Sequence, residues 1–407
     1  MSKKQTRKLV ATILLVILAI FALERIYNSR SEFNVKAEEA SYYDVIEVGM
    51  TTKEKLQDFE YMYDILKENY PFFEVNKRLH NVDWLGNKSK YKRLIKNTKT
   101  DTEYLVAMSK ILGDLHNPHT GILTGQTFKH LYKVNYPNWN DALGDFRVMY
   151  RYNFNGDVRS AEFDKEPALE TKVLVDNEIA YMKINSMSYY HFEEDLARIK
   201  DFLKEVEDYE KLIIDIRGNA GGLDDYWKNI VALLIDETHS AEYYSIFKEN
   251  TRNKYDTYKL KDIRTVNDLD ESILNQFPEE IKTDFKFYKL NTIQVDPLEE
   301  IGFNGKVYLL VDSGVFSSAE KFASFAKDTG FATLVGETTG GDRTFEDIPV
   351  FYLRLSKFVI RYSIEMSMNA DGTINMETRT TPHIQVDPTP NKDFTKDECI
   401  QAVINDN

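Results

Sequence analysis

Asp312-Ser313-Gly314-Val315-Phe316-Ser317-Ser318-Ala319-Glu320 decides how this chain is read. An apolar run, Val307-Tyr308-Leu309-Leu310-Val311, leads into it, and Lys321-Phe322-Ala323-Ser324-Phe325-Ala326-Lys327 leads out with amphipathic spacing. That order predicts a buried strand, a tight turn and a helix, with Ser317 at the helix mouth. A hydroxyl there faces unpaired backbone N–H groups and the positive end of the helix dipole, conditions that suit a serine nucleophile. Ser317-x-x-Glu320 equally fits a capping box, whose only task is to start a helix. The rest of the chain has to decide between the two.

The 407 residues suffice for two or three lobes, and 42% apolar and 13% aromatic content can fill a large core. The formal charge is −14 with no basic stripe, which argues against a nucleic-acid partner. A single cysteine, Cys399, excludes an intramolecular disulfide and a cysteine-based zinc site.

Lys3, Lys4, Arg7 and Lys8 precede an apolar run from Leu9 to Leu23. The run is shorter than the ~20 residues a spanning helix prefers and suits a signal-peptide core. Ala19-Ile20-Phe21-Ala22 is not a small-x-small cleavage site, and Glu24-Arg25 follows directly. The expectation is an uncleaved signal anchor, N-terminus cytoplasmic and body extracytoplasmic, with a cleaved signal peptide as the alternative.

Beyond a polar stalk, Leu56, Phe59, Met62, Tyr63 and Leu66 recur at helical spacing up to Pro71, and Leu105, Met108, Ile111 and Leu112 mark a second helix. This helical lobe ends in Asp114-Leu115-His116-Asn117-Pro118-His119-Thr120-Gly121. Residues 124–176 show few clear periods. Then come a strand at 179–184, a helix carrying Phe192, Leu196, Ile199, Leu203 and Val206, a buried strand at 212–216, and Arg217-Gly218-Asn219-Ala220-Gly221-Gly222 before another helix. Strand–helix–strand–helix predicts an α/β core. Residues 237–303 interrupt it as an insertion would. Strands around Val350–Leu355 and Phe358–Ser363 are expected to close the core.

Two adjacent glycines after a buried strand can aim backbone N–H groups into a cleft, as an oxyanion hole requires, or can form an ordinary turn. A neutral imidazole from the His116/His119 loop can take a proton from a serine hydroxyl near pH 7.

The ordered set Leu112-x-x-Leu115-x-x-x-His119-Thr120, Asp215-Ile216-Arg217-Gly218-Asn219-Ala220-Gly221-Gly222, Ser317-Ser318-Ala319-Glu320 and Gly336-Glu337-Thr338-Thr339-Gly340-Gly341 resembles the S41 serine peptidases. That family includes carboxyl-terminal processing proteases, tricorn-like proteases and the membrane-anchored nisin-resistance protein. The resemblance implies an α/β (α+β) fold, a helical lobe plus a ClpP/crotonase-like core sheet with flanking helices. It implies Ser317 as nucleophile, with oxyanion donors from Ser318 and from Gly221 or Gly222. Asp342 stands where the processing proteases carry a catalytic lysine. The base is therefore expected to be His119, in a Pro-His-Thr setting like that of the other branch, with His116 as the fallback. Glu377 is similar in position to the tricorn-like glutamate and is the expected orienting carboxylate.

The expected layout is an anchor and stalk start at 1–30, a helical lobe at 31–125, a connecting segment at 126–176 too short for a PDZ domain, and the peptidase core at 177–407. No metal or organic cofactor is implied. The expected function is an extracytoplasmic, membrane-anchored serine endopeptidase acting on peptides or protein tails. The alternative is a catalytically weak or inactive peptide- or bacteriocin-binding protein on the same fold. An esterase is disfavoured, because no Gly-x-Ser-x-Gly elbow surrounds Ser317.

Overall fold

The computed structural model describes residues 45–135, 140–156, 167–249, 262–298, 303–344 and 348–406. The expected anchor at 9–23 lies outside the described residues. No helix among the described residues is long and apolar enough to cross a membrane.

The N-terminal lobe is built from α1 (Thr52–Asn69), α2 (Phe73–His80), α3 (Lys88–Lys96) and α4 (Asp101–Gly113), followed by β1 (Gly121–Ile122) and α5 (Gly125–Asn135). A Thr51/Glu54 capping box starts α1, and its apolar stripe of Phe59, Met62 and Leu66 is fully buried. Tyr63 stacks on Trp84, centroids 5.3 Å apart, and the Trp84 indole N–H donates to the Ile111 carbonyl at 2.8 Å.

The second body is a six-stranded sheet of β2 (Leu169–Val175), β3 (Ile179–Ile184), β4 (Lys211–Asp215), β8 (Lys306–Val311), β9 (Thr333–Gly336) and β13 (Ile384–Gln385), in the order β13-β9-β8-β4-β3-β2. All neighbours are parallel except the β2–β3 pair. Alternate side chains serve opposite faces, as a period of two demands. Ala180, Met182, Leu212, Ile214, Leu309 and Val311 pack under α6 (Phe192–Glu205), α7 (Asp224–Leu234) and α8 (Ser318–Thr329). Ile179, Tyr181, Ile213, Tyr308 and Leu310 face α9 (Glu398–Asn405) and Cys399. Burial pushes that thiol up to about 12, which makes it unreactive.

Two small sheets join the bodies. Residues of the expected insertion form β5 (His239–Phe247), β6 (Arg264–Thr265) and β7 (Phe287–Val295), which pair with β12 (Glu365–Met368) in an antiparallel sheet ordered β12-β5-β7-β6. The strands expected to close the core exist as β10 (Val350–Tyr352) and β11 (Val359–Arg361), but they pair with β1 instead of extending the parallel sheet. Val350 and Ile360 of these strands, with Leu353 and Phe358 from the turn between them, share one hydrophobic core with the helical lobe. The lobe is thus closed by chain that lies more than 200 positions downstream.

Candidate active site

Three neighbouring parallel strands, β4, β8 and β9, deliver three loops at their carboxyl ends, where open α/β sheets place their sites. The glycine turn follows β4, the serine turn follows β8, and the Gly336–Thr344 loop follows β9. Asp312 ties the first two together: its Oδ1 accepts from the Gly218 N–H at 2.8 Å and the Gly314 N–H at 2.9 Å. The Asn219 carbonyl accepts from the Phe316 N–H at 3.2 Å. Below them, the Arg217 guanidinium bridges Asp215 (2.6 Å) and Asp397 (3.0 Å), anchoring the glycine turn to the chain that starts α9.

Ser317 sits at φ 58°, ψ −120°, a sparsely populated conformation for a residue with a Cβ. The expected capping box does not form. The Ser317 side chain caps nothing, and the buried Glu320 turns away, its Oε1 accepting from Asn375 (2.8 Å) and Thr380 (2.7 Å). The reason is the backbone twist, which aims Ser317 Oγ across the cleft at His119 Nε2, 3.0 Å away.

His119 is held on every side. Its N–H donates to Asn117 Oδ1 at 2.9 Å, its ring lies 4.5 Å from that of Phe316, and its Nδ1 is 2.9 Å from Asp342 Oδ2. Asp342 is buried. The Asn117 amide donates to the same Oδ2 at 3.0 Å, and the Thr344 hydroxyl to Oδ1 at 2.9 Å. An ionised carboxylate accepts, so His119 Nδ1 carries the proton, which leaves Nε2 to accept from the Ser317 hydroxyl. Burial lowers the His119 pKa below its ordinary 6.5; Asp342 opposes this, and Arg361 and Lys321 reinforce it. A neutral, correctly oriented imidazole beside a serine hydroxyl is the requirement for general-base chemistry.

Across from this array, Ser318 opens α8, so its backbone N–H has no acceptor within the helix. Its own hydroxyl is tied to Asp224 at 2.6 Å, and Asp224 also binds Lys321 at 2.7 Å. In the glycine turn, the Gly221 N–H is consumed by Asn219 Oδ1 at 2.8 Å. Met187 bridges the Gly221 carbonyl and the Leu223 N–H, so the Gly222 N–H points the other way. Of the two expected glycines, Gly222 is therefore the one with a donor to offer. Gly221 serves by being small, since a Cβ there would stand 2.8 Å from Phe316 O and Ser318 N.

Two expected residues are not brought in. Glu377 pairs with Arg78 on α2 at 2.6 Å rather than with His119. The inward-facing residue of its helical turn is Asn375, whose Oδ1 accepts from the Arg343 N–H and so steadies the Asp342 loop. His116 adopts φ 50°, stacks on His80 (4.0 Å) and places Nδ1 3.0 Å from Asn76 Oδ1, turned toward the helical lobe. The carboxylate beside His119 is Asp342, which sequence reasoning saw only as the residue replacing a lysine.

The cleft has a volume of about 970 Å³ and includes Ser317, Ser318, Gly221, Gly222, Met187 and Arg361 in its walls. No group of residues suited to hold a metal ion occurs among the described residues.

Hydroxyl, imidazole and carboxylate in series, facing free N–H donors, form an arrangement suited to serine-type acyl transfer on an α/β scaffold. The family comparison agrees. The model of peptidase family S41 matches residues 178–386, more than half of the chain, and the tricorn protease C1 domain matches residues 51–113. The chain belongs to peptidase family S41 and is a serine-type peptidase. No curated protein sequence matches it. Among solved structures, a protein of Parabacteroides merdae described as a candidate peptidase is similar at 20% identity and a TM-score of 0.56, over 86% of this chain and 96% of that one. Mature CPAF in complex with lactacystin is similar at 11% identity and a TM-score of 0.53, over 82% of this chain and 94% of that one. At such identities the likeness concerns the fold.

Proposed function

We propose that this peptidase cleaves peptide bonds through Ser317, His119 and Asp342. The observation that carries the reading is the unbroken line Ser317 Oγ–His119 Nε2 (3.0 Å) and His119 Nδ1–Asp342 Oδ2 (2.9 Å). His119 Nε2 takes the hydroxyl proton as Ser317 Oγ attacks the scissile carbonyl carbon. The carbonyl oxygen gains negative charge and receives hydrogen bonds from the Ser318 and Gly222 N–H groups, each worth about 2.7–4 kcal/mol in the transition state. His119 then gives its proton to the leaving amine, the C–N bond breaks, and an acyl-Ser317 ester remains. Water, deprotonated by the same Nε2, hydrolyses that ester and returns the proton to Oγ. Asp342 holds the imidazole in the required tautomer and stabilises the transient imidazolium.

The basic flank and apolar run of residues 3–23 support a body tethered outside the cytoplasm, as read from the sequence. Fractionation of the full chain beside one lacking residues 1–30 tests this; equal recovery of both in the soluble fraction would remove it. A binding protein without catalysis is the weaker reading, because the serine and histidine are already within hydrogen-bond reach. Labelling by a fluorophosphonate, lost in Ser317→Ala, tests catalytic competence, and an unlabelled intact protein would reverse the preference.

A further inference from the structure

Buried arginines in this chain come with carboxylates. Arg151 sits 3.0 Å from Asp101, Arg217 binds Asp215 and Asp397, and Arg343 lies 3.7 Å from Asp328. Arg361, half-buried in the cleft wall, has no such carboxylate among the described residues. It ends β11, its backbone pairs with Gly121 two residues beyond His119, and its side chain forms part of the cleft wall. No carboxylate or carbonyl among the described residues accepts a hydrogen bond from its guanidinium. Two carboxylates of the cleft are already occupied, Asp342 by His119, Asn117 and Thr344 and Asp224 by Ser318 and Lys321, and Asp225 in the same wall forms no ion pair with Arg361. Burial brings the guanidinium down to about 10, and Asp342 offsets part of that. A partly desolvated cation with no partner among the described residues is costly, and a site that keeps one is poised for an anion.

We infer that Arg361 is a specificity residue that binds a carboxylate of the peptide substrate close to the scissile bond. The planar, two-pronged guanidinium matches a carboxylate, and such pairs are the stronger hydrogen bonds available to a protein. The carboxylate comes either from an acidic side chain or from the substrate's own C-terminus. This rests on the peptidase reading of the same cleft, so the test separates binding from cleavage.

Fluorescein-labelled peptides are titrated into the full-length Ser317→Ala protein by fluorescence anisotropy, in four forms: with Glu or Gln near the centre, each as free acid or C-terminal amide. A carboxylate-bearing form should bind roughly ten- to a hundred-fold tighter than its amide counterpart. Loss on Glu→Gln assigns the side chain; loss on C-terminal amidation assigns the terminus. Adding Arg361→Met should abolish the preference, and Arg361→Lys should retain part of it. Equal binding of all four forms, or a preference that survives Arg361→Met, overturns the inference. Should Arg361→Met fail to fold, the four-peptide comparison with Arg361 intact and the Arg361→Lys protein decide alone. A retained acid preference in a wild-type protein that cleaves nothing would count against the catalytic reading while supporting the carboxylate site.

Discussion

His119 and Asp342 lie 223 positions apart in the chain and 2.9 Å apart in space. The histidine ends the helical lobe and the aspartate follows β9 of the parallel sheet, so the pair exists only when the two bodies are docked. A site assembled this way is sensitive to whatever holds its loops, and to the charge state of the imidazole.

Asp342→Asn keeps the volume but lets an amide donate toward His119 Nδ1, which favours the wrong tautomer. A fall in kcat/KM of about 10³–10⁴-fold is expected, measured on a peptide found by library digestion. Glu377→Gln should leave kcat/KM within about twofold, since it only weakens a partly exposed pair with Arg78. A large loss from Glu377→Gln with little from Asp342→Asn would exchange their roles.

The acid limb of kcat/KM should lie below pH 6.5, because burial lowers the His119 pKa in the folded enzyme. Activity is then level through neutrality and falls on acidification as Nε2 becomes protonated. Stability follows the same sign. The unfolded chain takes up the proton at a higher pH than the folded one, so this histidine's contribution is intact above about pH 6.5 and lost as pH falls. An acid limb centred above pH 7 contradicts this.

Gly221→Ala should abolish turnover with a smaller effect on folding. The strained φ of 97° and the 2.8 Å approach to Ser318 N force the serine turn to move. A drop in kcat of at least about 10²-fold is expected, comparable to loss of one oxyanion donor. Normal kcat in a folded Gly221→Ala protein would mean that the two turns do not need this contact.

Arg217→Ala leaves Asp215 and Asp397 buried without their cation, and a loss of about 3–5 kcal/mol in urea unfolding is expected. A change under 1 kcal/mol would show that the network is replaceable by water.

The strand–turn–helix units and the loops that carry Ser317 and His119 were legible in the sequence because each is local. Val307–Val311 is a continuous apolar run, Gly221 and Gly222 announce an unusual turn, and Pro118-His119-Thr120 sits at a lobe end. Long-range pairing was not legible. Residues 237–303 read only as an interruption of the core, and nothing in them names β5, β7 and β12 as partners in one sheet. Asp342 escaped for the same reason: its role comes from the docking of His119, and the family pattern drew attention to Glu377, which the fold turns toward Arg78. Ser317-x-x-Glu320 misled in the opposite sense, because a local capping signal yielded to a positive φ that turns the Ser317 hydroxyl toward His119.

In the proposed mechanism Ser317, activated by His119 and Asp342, is the nucleophile. Digestion of one peptide library by wild-type and Ser317→Ala proteins in parallel tests it most directly. Cleavage by wild type that vanishes in Ser317→Ala is the predicted result; identical digests from the two proteins would contradict it.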